Sequence, residues 1–247
     1  MLKGHPKRLY VLDFGLFRVH SNGRTIGICG YLIQTDHGEN LLVDSGFPAK
    51  YATDPKGAAE EDGLEAFGEV LKCSPGHLPE AQLALIGLSA KDIDLFLLTH
   101  THIDHVGGIA DFREAPLLLS KAERDLSRPL YWGQVQPMEW PDREYLTVDQ
   151  DTRVAPGIQL LMAPGHTAGQ IALQVDLPRT GPVLLTSDAI SRPAEIDEGF
   201  DSAPDPLLAA KSASRLMDLA AAQDMMVIYG HCPQQWPQLR KAPAFYD

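Results

Sequence analysis

Apolar runs rich in Val, Ile and Leu recur along the chain at 8–12, 26–34 and 41–43, each bounded by Gly, Asn or Asp. With the turn sequences HSNGR and QTDHGEN between them, they predict an antiparallel meander at the start of the chain. From Gly46 to about Gly76 the pattern lapses into Ala, Gly, Glu and Pro, where only LEAFGEVL has helical spacing; the stretch 47–76 reads as a surface excursion or lid. PEAQLALIG, 79–87, starts on proline and stops on glycine, as a short helix does. Further strands are expected at 93–98, 116–119, 158–162, 170–175, 182–186 and 225–229, with a helix at 120–126. Asp205 and Pro206 open the strongest helix, PLLAAKSASRLMDLAAAQ, whose apolar face runs through Leu208, Ala209, Ala213, Leu216 and Ala220. Strands interspersed with helices define an α/β arrangement, and no repeat or linker divides the chain.

One strand ends abnormally. LFLLTHTHIDHVGG begins as a buried strand should, then delivers His100, His102, Asp104 and His105, side chains costly to bury unless something binds them. Residues two apart in an extended segment point the same way, so His100 and His102 can share one ion. The chain then turns at VGG, which aims Asp104 and His105 at a neighbouring point. With this chain's own His and Asp frequencies, HxHxDH arises by chance in roughly one chain of this length in a thousand. Three later apolar runs also finish on such a side chain: GIQLLMAPGH on His166, PVLLTSD on Asp188 and MMVIYGH on His231. Open α/β sheets place sites beyond the carboxyl ends of their strands, so the seven groups are expected to converge. His5, His20, His37 and His77 lie in polar or loop contexts where solvation suffices.

Imidazoles and carboxylates without thiolate suit zinc first, with iron, manganese or cobalt as substitutes. The spacing fits two ions better than one, and Asp188 has two oxygens with which to bridge them. The three cysteines are few, odd in number and lack CxxC spacing, so neither a thiolate zinc knot nor a disulfide framework is indicated, and reduced thiols in a cytoplasm fit best. A formal charge of −12 disfavours nucleic-acid partners, and no apolar segment is long enough to span a bilayer. A chain of 247 residues, 44% apolar, has enough material for one large core.

THTHIDHVGG, APGHTAGQ, LLTSDA and IYGH, preceded by LLVDSG, resemble the metallo-β-lactamase superfamily in its N-acyl-homoserine lactonase branch. The resemblance implies a single domain, 1–247, folded as an αββα sandwich of two similar halves. It also implies a ligand set: His100, His102 and His166 for one metal, Asp104, His105 and His231 for the other, and Asp188 between them. Asp44 of LLVDSG would orient a ligand from outside that set. The implied reaction is the opening of a small lactone by a hydroxide held between the ions, with Asp104 and Asp188 catalytic. One position departs from the pattern, since Ser191 stands where lactonases of this branch often carry a tyrosine.

Tyr131, Trp132 and Trp140, in the proline-rich stretch 128–145, are candidates with Ser191 for substrate contact or for a homodimer surface; a monomer is equally consistent. The same ligand set would also serve a thioesterase of the glyoxalase II kind. Iron-dependent oxygenases share the superfamily, although flavodiiron proteins usually carry glutamate at the place of His102. No GxSxG elbow is present, which disfavours a serine nucleophile.

Overall fold

A computed structural model describes residues 1–247. Seven strands form the first sheet: β1 (Pro6–Val19), β2 (Thr25–Thr35), β3 (Asn40–Val43), β4 (Gly68–Lys72), β5 (Leu95–Leu97), β6 (Leu117–Ser120) and β7 (Tyr145–Val148). Their spatial order is β4-β1-β2-β3-β5-β6-β7. The second sheet has five: β8 (Thr152–Ala155), β9 (Ile158–Met162), β10 (Ile171–Leu177), β11 (Gly181–Leu185) and β12 (Met226–Ile228), ordered β12-β11-β10-β9-β8. The predicted meander is present, with β1 and β2 antiparallel and Leu32 opposite Tyr10.

Period-two alternation decides how the sheets stack. Leu41, Val43, Leu95 and Leu97 face Leu160, Leu173, Val183 and Ile228 across the space between sheets. Leu42, Phe96, Leu117 and Leu119 point the other way, onto a cluster holding Ile103, Val106 and Phe112. Outside the second sheet, Leu161, Ala172 and Leu184 receive Ala209, Ala213, Leu216 and Ala220 of the long helix Pro206–Ala222. Both sheets are therefore apolar on two faces, and the result is an αββα sandwich. No helix is long and apolar enough to cross a membrane.

The excursion at 47–76 departs from expectation. LEAFGEVL is not a helix: Leu64–Ala66 forms a single 3-10 turn, and Gly68–Lys72 pairs with β1, Val70 opposite Phe17. Gly68 explains the difference, because a Cβ there would stand 2.3 Å from the Arg18 carbonyl oxygen, an approach that only glycine permits. The helix lies upstream at Pro55–Asp62, with Asp54 accepting from Gly57 N–H, proline at its start and Gly63 at φ 66 closing it. Two further strands, β7 and β8, fall outside the expected set.

Candidate metal centre

β3 and β5 run parallel, as do β11 and β12, so their carboxyl ends emerge along one rim of the sandwich. Asp44 follows β3, His100 and His102 follow β5, Asp188 follows β11 and His231 follows β12. Asp104 and His105 sit in a single helical turn, Ile103–Val106, ahead of the glycines rather than after them. His166 arrives on the loop from β9 to β10. All seven predicted ligands are thereby brought together in three overlapping groups: His100, His102 and His166; His100, His105 and Asp188; Asp104, His105 and His231.

The distances sort these groups. His102 Nδ1 lies 3.1 Å from His100 Nε2 and 2.9 Å from His166 Nε2. Nitrogens bound tetrahedrally at zinc–nitrogen distances would stand about 3.3 Å apart, so the triad is spaced for one ion. His231 Nε2 is 3.5 Å from Asp104 Oδ2, and His105 Nε2 is 3.8 Å from the same oxygen. Asp188 spans the two: Oδ1 is 3.3 Å from His105 Nε2 and 3.2 Å from His231 Nε2, while Oδ2 is 3.4 Å from His166 Nε2.

Surrounding residues fix which nitrogen each ring turns inward. His105 Nδ1 donates to Asp44 Oδ2 at 2.9 Å, and His231 Nδ1 donates to the Gly27 carbonyl at 3.0 Å. Asp44, 1% exposed, also accepts from the Thr99 amide and hydroxyl, each at 2.8 Å. A hydroxyl has one proton, and Thr99 gives its proton to Asp44, so it must accept from His100 Nδ1 (3.2 Å) and from the Ser187 hydroxyl (2.9 Å). His100 Nε2 therefore keeps its lone pair for the cluster. Sequence reasoning reached Asp44 but not Thr99 or Ser187; their adjacency to ligands was the available signal.

Titration behaviour follows the carboxylates. Burial pulls His166 down to about 4 and holds His100 well below the usual imidazole range. Burial also acts to lower His231, but Asp188 and Asp104 overcome it and raise the group to about 9. His105 is likewise raised, by Asp104, Asp44 and Asp188 against its burial. The acidic side of the cluster thus calls for positive charge. His105 Nε2 and Asp188 Oδ1 are moreover buried without any hydrogen-bond partner, an omission that costs about 1–3 kcal/mol per group when left unmet. A set of imidazoles and carboxylates with orphaned inward atoms fits divalent cations.

The cluster floors a cavity of about 340 Å³, within the small-molecule range. Trp132 and Ser191 line it as expected, joined by Phe17, Ile26, Phe47 and Phe67. Phe47, Leu64 and Phe67 of the 47–76 excursion thus supply part of its wall. The other aromatic candidates lie elsewhere. Tyr131 is 1% exposed; its hydroxyl donates to buried Asp62, and its backbone pairs with Thr101 and Ile103 on either side of His102. Trp140 donates Nε1 to the Leu126 carbonyl and stacks under Arg124, pinned to its own loop. Arg24 and Glu195, absent from the expectations, also face the cavity.

Fold and rim together define a metallohydrolase-type scaffold, and a family model for the metallo-beta-lactamase superfamily matches residues 30–231. The chain belongs to the metallo-beta-lactamase superfamily. It is 31% identical over 211 residues to an N-acyl homoserine lactonase from a Bacillus species, spanning 83% of this chain and 81% of that one. It is 28% identical to the N-acyl homoserine lactonase AttM of Azorhizobium caulinodans, with 97% and 98% covered. A solved structure of a Bacillus thuringiensis AiiA mutant with N-decanoyl-L-homoserine at the active site superimposes with a TM-score of 0.87 at 26% identity, covering 98% of this chain and 100% of that one.

Proposed function

We propose that the protein is a metal-dependent lactone hydrolase, with N-acyl-homoserine lactones as the leading substrate class. His100, His102 and His166 would hold one divalent cation, Asp104, His105 and His231 a second, and Asp188 would bridge them; zinc is the first choice. The observation that carries this reading is the division of Asp188, one oxygen toward His105 and His231 and the other toward His166. The lactonase relatives, and the N-decanoyl-L-homoserine bound at the active site of a structural neighbour, support the substrate class.

When bound, a pair of such cations acidifies water and polarises a carbonyl. The chain's own residues do the rest. Asp104, only 17% exposed and at the cavity floor, is placed to take the proton of the attacking water. It returns that proton to the ring oxygen as the C–O bond breaks, leaving a hydroxy acid. Asp44 and Thr99 hold His105 and His100 in the required tautomers. Phe17, Phe47, Phe67 and Trp132 offer apolar area for an acyl chain.

The test couples metal counting per chain to a proton-release screen over short, long-acyl and aromatic lactones and a glutathione thioester. About two metals per chain and lactone turnover are expected, both lost in Asp188→Ala. Turnover of the thioester alone would move the activity to thioester hydrolysis, and a single bound metal would overturn the bridging role of Asp188.

A further inference from the structure

Arg24 stands out among the basic residues. The chain carries 33 acidic side chains, yet this guanidinium forms no ion pair and no hydrogen bond, and its Nε is occluded without a partner. Its position is nevertheless fixed: Asn22 Oδ1 accepts from the Arg24 backbone N–H at 3.0 Å, and the Arg24 carbonyl accepts from Val19 N–H at 2.9 Å, closing the β1–β2 hairpin. The side chain is directed into the wall of the cavity whose floor is the His and Asp cluster.

Glu195 lines the same wall. Its Oε2 accepts from the Ser191 N–H at 2.7 Å, and its Oε1 has no partner within the protein. The charged groups that act on Arg24 are Arg192, Glu195 and Glu198. Arg192 is already committed to Glu198 through a two-nitrogen pair. Two cations against two carboxylates leave the wall neutral, which suits a neutral polar ligand rather than an anion. The free features are thus one strong donor and one strong acceptor lining the same cavity.

We propose that Arg24 and Glu195 form a subsite for a secondary amide, with Arg24 donating to the acyl carbonyl oxygen and Glu195 accepting the amide N–H. The proposal rests on the lactonase reading, in which an N-acyl substituent is attached to the ring, and assigns its recognition to two residues of this chain. A site built to hydrogen-bond a group discriminates strongly against analogues lacking it, because its own polar atoms are then left unpaired.

The experiment compares kcat/KM for N-hexanoyl-homoserine lactone and for γ-decalactone, which carries a chain of similar size but no amide, in the metal-loaded protein. Arg24→Met should reduce the ratio of the two values by about 10- to 100-fold, the worth of a hydrogen bond to a charged group, with the change in KM. Arg24→Lys should recover part of it, and Glu195→Leu should lower it further than Glu195→Gln, which retains an acceptor. An unchanged ratio in Arg24→Met and Glu195→Leu, with melting temperatures preserved, overturns the subsite. If the wild-type protein turns over neither lactone, the lactonase reading fails on its own, and calorimetric titration with N-hexanoyl-homoserine lactone still decides the subsite. Binding weakened by Arg24→Met supports it; no binding, or binding indifferent to Arg24, overturns it.

Discussion

Asp44→Asn isolates the contribution of a residue that touches no inward-facing ligand atom. The carboxylate accepts three hydrogen bonds, from the Thr99 amide, the Thr99 hydroxyl and His105 Nδ1. An asparagine amide has one oxygen for the two donors that come from different directions. If that oxygen stays on the Thr99 amide, the new NH2 group confronts His105 Nδ1–H. If it flips to His105, the NH2 group confronts the Thr99 N–H. The cheapest escape is for His105 to move its proton from Nδ1 to Nε2, the atom that faces Asp188. Losing one hydrogen bond to a charge costs about 1.5–3 kcal/mol, which is roughly a 10- to 100-fold weakening and agrees with the usual effect of removing a residue that orients a histidine ligand. Zinc titration of the metal-free proteins against a chelating dye reads the two binding steps separately. One step should weaken by about 10- to 100-fold in Asp44→Asn, while the step that belongs to His100, His102 and His166 moves by less than about threefold. Two unaltered steps would refute the view that Asp44 dictates the tautomer of His105.

Gly230→Ala should displace Asp188, since the new Cβ would lie 2.4 Å from the Ser187 carbonyl oxygen and 3.2 Å from Asp188 Oδ1. Overpacking of this kind costs about 1–3 kcal/mol in urea unfolding, whereas Gly76→Ala, with its nearest neighbour 3.8 Å away, serves as a near-neutral control. Tyr131→Phe removes one of two tyrosine hydroxyls that donate to Asp62 Oδ2, and should cost about 1–2 kcal/mol with metal stoichiometry unchanged, because Tyr51 and Lys50 still hold the carboxylate. Burial raises the Cys73 thiol to about 11 and the Cys29 thiol to about 12. A thiol-specific reagent at pH 8 should therefore label Cys73 on the order of a hundredfold more slowly than a free thiol, accelerating about tenfold per pH unit toward 11. Fast labelling of Cys73 at pH 8 would refute that environment.

The candidate ligands were legible in the sequence because they gather where four runs of buried residues end, and polar side chains in that position have few structural explanations. Four strands contributed, and parallel pairing of β3 with β5 and of β11 with β12 set their ends on one rim. Elements whose pattern is weak were not legible. β7 is nowhere fully buried along Tyr145–Val148 and forms by parallel pairing with β6, a contact that local periodicity does not encode. The helix Pro55–Asp62 buries only Ala58, Ala59 and Asp62, so its inward face lacks the apolar stripe by which helices are recognised. Its buried acid is intelligible only once Tyr51, Tyr131 and Lys50 surround it.

The same distinction separates the floor of the cavity from its walls. Its His and Asp groups gather just beyond the ends of regular strands, and the backbone around them is held in uncommon shapes: Asp44, Tyr131 and Ser187 are three of the four non-glycine residues with positive φ. Such conformations cost of order 1–3 kcal/mol each and persist where neighbouring bonds over-determine them. Here those bonds are Asp44 with Thr99 and His105, Ser187 with Thr99, and Tyr131 with Asp62. The walls come from the 20–25 hairpin, the 47–76 excursion, the loop at Trp132 and the segment near Glu195, joined by no shared period. The His and Asp cluster is therefore set by the strand ends, and the cavity wall by loops that can change without moving it. That is why Ser191 in place of a tyrosine leaves the His and Asp cluster intact, and why Arg24 rather than that cluster is where selectivity should be sought.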